Sequence, residues 1–110
     1  MARRDKLQGS LDLLVLKILQ HEPLHGYGIT SRIAVWSEGG LEVEEGSLYP
    51  ALHRLERDDL LAAEWRKTDN GRRAKYYRLT RTGRKHLEAE TERWSRLSTA
   101  IALVLKRSEA

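Results

Sequence analysis

The stretch Glu45-Gly46-Ser47-Leu48-Tyr49-Pro50-Ala51-Leu52-His53-Arg54-Leu55 decides the fold. Leu48, Leu52 and Leu55 fall at i, i+4 and i+7 and so share one side of a helix of 3.6-residue period. Ser47, Tyr49, Pro50, His53 and Arg54 point elsewhere. An apolar back with a hydrogen-bonding front suits a helix that lies in a DNA groove while its back holds a small core. Taken alone, the stretch reads sooner as an ordinary amphipathic surface helix, and its surroundings must decide. Ser47 is the expected N-cap, which places Pro50 in the first turn, where its missing N–H costs nothing. The helix is expected to end near Asp58-Asp59.

Immediately behind it lie two β-prone runs around a polar tip. Ala62 to Lys67 contains Trp65, and Ala74 to Leu79 contains Tyr76 and Tyr77. Between them, Thr68-Asp69-Asn70-Gly71-Arg72-Arg73 carries Asn-Gly, the strongest short-range signal for a hairpin. Trp65, Tyr77 and Leu79 are expected on the core, with Arg66, Lys67, Arg72, Arg73, Lys75 and Arg78 open to solvent. From Arg66 to His86 there are nine Lys or Arg and one acid, Asp69, against 20 basic and 16 acidic residues in the chain. The remainder therefore carries a net charge of −4 although the whole carries +4. One dense basic segment on an otherwise acidic protein points to a polyanion partner, where scattered charges would read only as a solvated face.

Ahead of the deciding stretch, Leu7, Leu11, Leu14, Val15, Ile18 and Leu19 form the stripe of a buried helix from Gln8 to Gln20, with Ser10 as a late cap and Pro23 beyond its end. His25-Gly26-Tyr27-Gly28 opens a second helix running to about Ser37, with Ile29, Ile33 and Trp36 as its apolar stripe. Its two glycines suggest close backbone packing, and His25 is expected to satisfy a local backbone group. Gly39-Gly40 ends this helix, and Leu41-Glu42-Val43-Glu44 alternates as a brief extended segment would.

At the other end, Thr80 caps a long helix to about Lys106. Leu87, Trp94 and Ile101 are seven apart, as are Leu97 and Val104, and Leu105 lies alongside. This is a heptad seam that Glu90 interrupts near its start. A small domain cannot bury such a stripe along its whole length, so a second copy is the economical cover.

At 110 residues the chain is expected to form one small unit, of the size that often gains stability by oligomerising. The absence of cysteine excludes disulfides, thiolate zinc sites and cysteine nucleophiles. The run Leu11 to Leu19, broken by Asp12 and Lys17, is too short and too charged for a membrane span, and no signal-peptide cleavage site follows it. A cytoplasmic location is expected. The four histidines, His21, His25, His53 and His86, have no partners at metal-ligand spacing, and Glu42, Glu44 and Glu45 read as solvated acids, Glu45 favourably near a helix N-terminus. No catalytic residue, metal or cofactor is expected, and no enzyme.

The order helix, helix, brief strand, helix, basic hairpin, long helix describes a mainly α (α+β) winged helix-turn-helix. Residues 1–79 form its DNA-binding part and 80–110 a C-terminal dimerisation helix, in one compact structure. The third helix would present Ser47, Tyr49, Pro50, His53 and Arg54 to the major groove of double-stranded DNA. The wing would bring Arg72, Arg73 and Lys75 to the backbone. Tyr49 fits a phosphate contact and a core-filling role equally well. Two copies joined through Leu87, Trp94, Leu97, Ile101, Val104 and Leu105 would read half-sites of a palindrome on the order of 34 Å apart. A winged-helix protein-interaction module and an RNA-binding winged helix are the alternatives. In the first the basic wing would meet an acidic partner, against which the wing's charge density and the polar front of the helix argue; the second would leave the dimer seam unexplained.

From Leu7 to about Leu105 the chain resembles the PadR family of bacterial transcriptional regulators, in its short form with a single C-terminal helix. The resemblance rests on Leu11-Asp12-Leu13-Leu14-Val15-Leu16, on His25-Gly26-Tyr27-Gly28-Ile29 and on Glu45 through Leu52. It continues through Arg54-Leu55-Glu56, Gly71-Arg72-Arg73-Ala74-Lys75-Tyr76-Tyr77, Leu79-Thr80 and Gly83. It implies a homodimeric DNA-binding regulator, usually a repressor of nearby genes, sometimes released by a small molecule. Some members bind flat aromatic compounds between tryptophans of the two last helices. Trp94, in Arg93-Trp94-Ser95-Arg96, matches that position, as either an effector slot or plain interface packing.

Overall fold

The computed structural model describes the backbone of residues 2–108 and the side chains of residues 10–108. Four helices and one hairpin follow in order: α1 (Ala2–Leu19), α2 (Gly26–Trp36), α3 (Glu45–Arg57), β1 (Leu61–Lys67), β2 (Arg73–Leu79) and α4 (Arg81–Leu105). The first helix runs through Gly9 and Ser10, so Ser10 is not its cap. The leading Ala, Arg, Lys, Leu and Gln are strong helix formers that outweigh a single glycine. Leu7 falls outside the described side chains.

The expected stripes build one core. Val15, Leu16, Ile18 and Leu19 of α1 meet Ile29 and Ile33 of α2 and Leu48, Leu52 and Leu55 of α3. Leu61, Tyr77 and Leu79 of the hairpin and Leu87 of α4 close it. Trp36 does not join its stripe. It stays half-exposed, with the Arg32 guanidinium 5.4 Å over its ring and His21 against its edge.

Helix α2 begins as expected, with His25 as its N-cap: Nδ1 accepts a hydrogen bond from the Gly28 N–H at 3.0 Å. Helix α3 begins earlier than expected. The Glu44 carbonyl already accepts from the N–H groups of both Ser47 and Leu48, so Ser47 lies inside the first turn and is not the cap. Pro50 then sits one turn further in, opposite the Gly46 carbonyl that it cannot bond. Glu45 occupies the first turn, where the helix dipole favours a carboxylate. Helix α3 ends in a Schellman turn. Asp59 takes φ 64°, and the Leu60 N–H returns to the Leu55 carbonyl at 2.9 Å. That turn aims the chain into β1.

The strands pair antiparallel from Leu61↔Leu79 to Lys67↔Arg73, with Gly71 at φ 87° in the connecting loop. The extended segment expected at Leu41–Glu44 is not a strand. The third partner of the sheet is Leu24, which exchanges both backbone bonds with Tyr77 at 3.1 and 2.9 Å. Only tertiary contact selects that partner.

Thr80 caps α4 as expected, its Oγ1 accepting from the Gly83 N–H at 2.9 Å. Its N–H also donates to the Leu60 carbonyl, which pins the start of α4 to the turn after α3. Gly83 allows this closeness: a Cβ there would stand 2.1 Å from the Leu60 carbonyl oxygen. Leu87 is the last buried residue of α4. The helix then continues for roughly 27 Å at 1.5 Å per residue with no buried side chain.

Candidate nucleic-acid interface

The outer surface of α3 follows from its core face. With Leu48, Ala51, Leu52 and Leu55 buried, the residues turned away from them are Gly46, Pro50, His53 and Arg57. All four are exposed, as are Ser47 and Tyr49 on the flanks. Arg57 was not among the residues picked from sequence. Its signal is there to see: Pro50, His53 and Arg57 recur at i, i+3 and i+7.

Arg54 departs from the expected arrangement. Its Nη2 lies 2.6 Å from Oδ1 of Asp12 on α1, and both side chains are about three-quarters covered. The guanidinium that was expected on the outer face is therefore committed to the domain itself. Burial pushes the Asp12 carboxyl above its ordinary value, an effect that the Arg54 hydrogen bond and charge only partly offset.

Tyr49 leans across the start of α2. A Cβ on Gly26 would stand 2.8 Å from the Tyr49 hydroxyl, so the glycine of His25-Gly26-Tyr27-Gly28 is the seat of this ring. Partial burial and then the Glu45 carboxylate raise the Tyr49 phenol above its ordinary value. Tyr27, by contrast, does not pack on the core and stands largely exposed.

The hairpin supplies the opposite wall. Alternation along β1 and β2 places Leu61, Ala63, Tyr77 and Leu79 on the face that meets the core. The same face continues outward as Trp65, Lys67, Arg73 and Lys75, past the point where the core ends. Trp65 therefore sits on the expected face but not in the core, and is 60% exposed. The Arg73 guanidinium carbon lies 5.7 Å from its ring centre. Lys75 reaches Glu56 of α3 at 3.3 Å. Burial works against the Lys75 charge, but its bonds to Glu56 and Tyr77 outweigh that and raise its pKa.

Between these walls runs an open groove of about 750 Å³. It brings together Tyr49 and His53 from α3 with Arg72, Arg73 and Lys75 from the wing, five of the eight residues expected to face DNA. Ser47 and Pro50 are exposed on α3 outside the groove, and Arg54 is turned toward α1. A polar helix front beside a cationic wall suits an extended polyanion.

Comparison with known proteins decides the assignment. The model of the transcriptional regulator PadR-like family matches residues 15–89. The chain belongs to the PadR-like family of transcriptional regulators. A relative, the transcriptional regulator Rv3488 of Mycobacterium tuberculosis, is 38% identical over 89 residues, covering 78% of this chain and 79% of that protein. The structure of a transcriptional regulator from Clostridium thermocellum superposes with a TM-score of 0.83 at 26% identity, covering 93% of this chain and 96% of that one. A PadR-like transcriptional regulator from Bacillus cereus gives a TM-score of 0.79 at 28% identity, covering 94% and 99%. The winged helix with a long last helix is therefore the PadR-like architecture, and DNA-binding regulation rather than catalysis is its function.

The rest of the long helix bears on assembly. Leu87, expected on the seam, is 2% exposed in the chain's own core and is not available to a partner. Trp94, Leu97, Ile101, Val104 and Leu105 are all exposed. Leu103, which the heptad reading did not include, is exposed with them.

Proposed function

We propose that this PadR-like regulator is a cytoplasmic homodimer that represses transcription by occupying a palindromic operator. One observation carries the reading. The reading head is complete at one end of the chain, whereas α4 beyond Leu87 leaves Trp94, Leu97, Ile101 and Val104 uncovered. With Leu103 and Leu105, these make six exposed apolar side chains on one free helix, a large patch for a protein of this size, and a second copy of α4 buries both patches at once. Residues 80–110 would then join two copies of the head formed by residues 1–79. Each head would set Ser47, Tyr49, Pro50 and His53 toward a major groove, with Arg72, Arg73 and Lys75 on the flanking phosphates.

Trp94 supports a second element of the proposal. It is exposed at the middle of α4, seven residues from both Leu87 and Ile101, where two copies would meet near a two-fold axis. A planar aromatic effector stacked between the two indoles would bind one spacing of the heads better than another, and so release the DNA.

Sedimentation of a Leu97→Asp/Ile101→Asp double variant tests the dimer. Monomers at micromolar concentration are expected, and a variant that stays dimeric contradicts the seam. Selection of duplexes from a random pool tests the operator. Recovered sites should share a palindrome with half-sites one helical turn apart. A thermal-shift series with planar aromatics on wild type and Trp94→Ala tests the effector.

A further inference from the structure

The geometry points to Trp65 as an apolar DNA contact, the seat for the deoxyribose of the strand that runs between helix α3 and the wing. The inference rests on the DNA-binding reading of the same groove. A helix in the major groove with a hairpin beside it has one sugar–phosphate strand between them, because each groove of the duplex is bounded by the two strands. The groove between α3 and the hairpin is where that strand must pass, and Trp65 is part of its lining.

Three features set Trp65 apart from an incidental surface residue. It is the largest apolar side chain on the wing, yet it is 60% exposed on the face that elsewhere meets the core. It stands directly opposite Lys75 in the strand register, and the Arg73 guanidinium lies over its ring at 5.7 Å. The indole thus stands in the groove beside the exposed Arg73 guanidinium, while Lys75 across the register is held by Glu56 at 3.3 Å. Phosphates alternate along a strand with sugars whose faces are apolar. Arg73 would hold a phosphate, and the neighbouring ring would cover the adjoining sugar.

The contact is to the backbone, so it is expected on any duplex, and the operator need not be known. The test is titration of the full-length protein with a 30-base-pair random-sequence duplex at several salt concentrations. Trp65→Ala is expected to weaken binding about five- to tenfold, the effect of withdrawing roughly 50 Å² less apolar surface from water. The loss should be the same at every salt concentration, because no phosphate contact is removed. A shallower salt dependence would mean that the ring serves only to position Arg73, and would overturn the assignment. Unchanged affinity would overturn it too. If wild type itself shows no salt-dependent affinity for duplex, the DNA-binding reading falls and this inference with it.

A second measurement stands if Trp65→Ala does not fold. Wild type labelled with 5-fluorotryptophan gives one fluorine resonance each for Trp36, Trp65 and Trp94, assigned by single changes to Phe. Adding the duplex should shift the Trp65 resonance and leave Trp36 in place. A Trp65 resonance unmoved at saturating duplex would overturn the contact.

Discussion

The guanidinium of Arg54 and the carboxylate of Asp12 meet at 2.6 Å across 42 residues of chain, joining the reading helix to α1. Helix α1 is also the support against which α4 begins, through Leu87 and its neighbours in the core. This ion pair therefore connects the surface that reads DNA to the frame that would hold two copies together. A partly covered pair of this kind is worth most by what its loss leaves behind, an uncompensated charge at a helix–helix contact.

Arg54→Ala should accordingly lower unfolding free energy by about 1–3 kcal/mol, more than an exposed arginine would. It should weaken binding to a specific duplex more than to random duplex while leaving the salt slope unchanged, because Arg54 neutralises no phosphate. Urea melts and paired titrations measure both. A reduced salt slope would place Arg54 on the backbone instead.

The pH dependence of the same pair has a definite sign. Burial raises the Asp12 pKa above 3.8 despite Arg54, so the folded state binds this proton more tightly than the unfolded chain does. The contribution to stability is full below the ordinary carboxylate value and is lost as pH rises through the raised one. Wild type should therefore lose stability relative to Asp12→Asn as pH rises through that window. Urea melts of both proteins at stepped pH measure it, and a relative gain by wild type would show that Arg54, not burial, dominates.

How much of this was legible in the sequence depends on whether a signal is local. The spacing of Leu48, Leu52 and Leu55, the caps at His25 and Thr80, and Asn70-Gly71 in the hairpin loop are short-range features, and the structure contains each. Trp65 was assigned the right face and the wrong burial, since alternation gives a face but not where the core ends. Arg54 reads from sequence as a DNA contact because its partner, Asp12, lies on another helix. Leu87 obeys the heptad spacing of the seam, yet its own domain reaches it first. The strand partner of Tyr77 turned out to be Leu24, a residue with no strand pattern around it. Arg57 shares the outer face of α3 with Pro50 and His53, and their i, i+3, i+7 spacing is a local signal for it.

Gly83 offers a test of how α4 is fixed. Gly83→Ala puts a methyl group against the Leu60 carbonyl, a backbone atom that cannot swing aside. The start of α4 should shift away from the turn after α3, at a cost of about 2–3 kcal/mol or more. Thermal unfolding measures this, and a melting temperature within a degree of wild type would show that the contact is looser than described.

The central claim is that the wing grips the DNA backbone beside a reading helix, and the salt dependence of duplex binding tests it most directly. Log affinity against log salt concentration should fall with a slope of about −0.9 per phosphate neutralised. Changing Arg72 and Arg73 together to Ala should make the slope shallower by up to about two phosphates' worth, with affinity reduced on every sequence. A flat salt response in wild type, or a slope untouched by the loss of both arginines, would contradict the account.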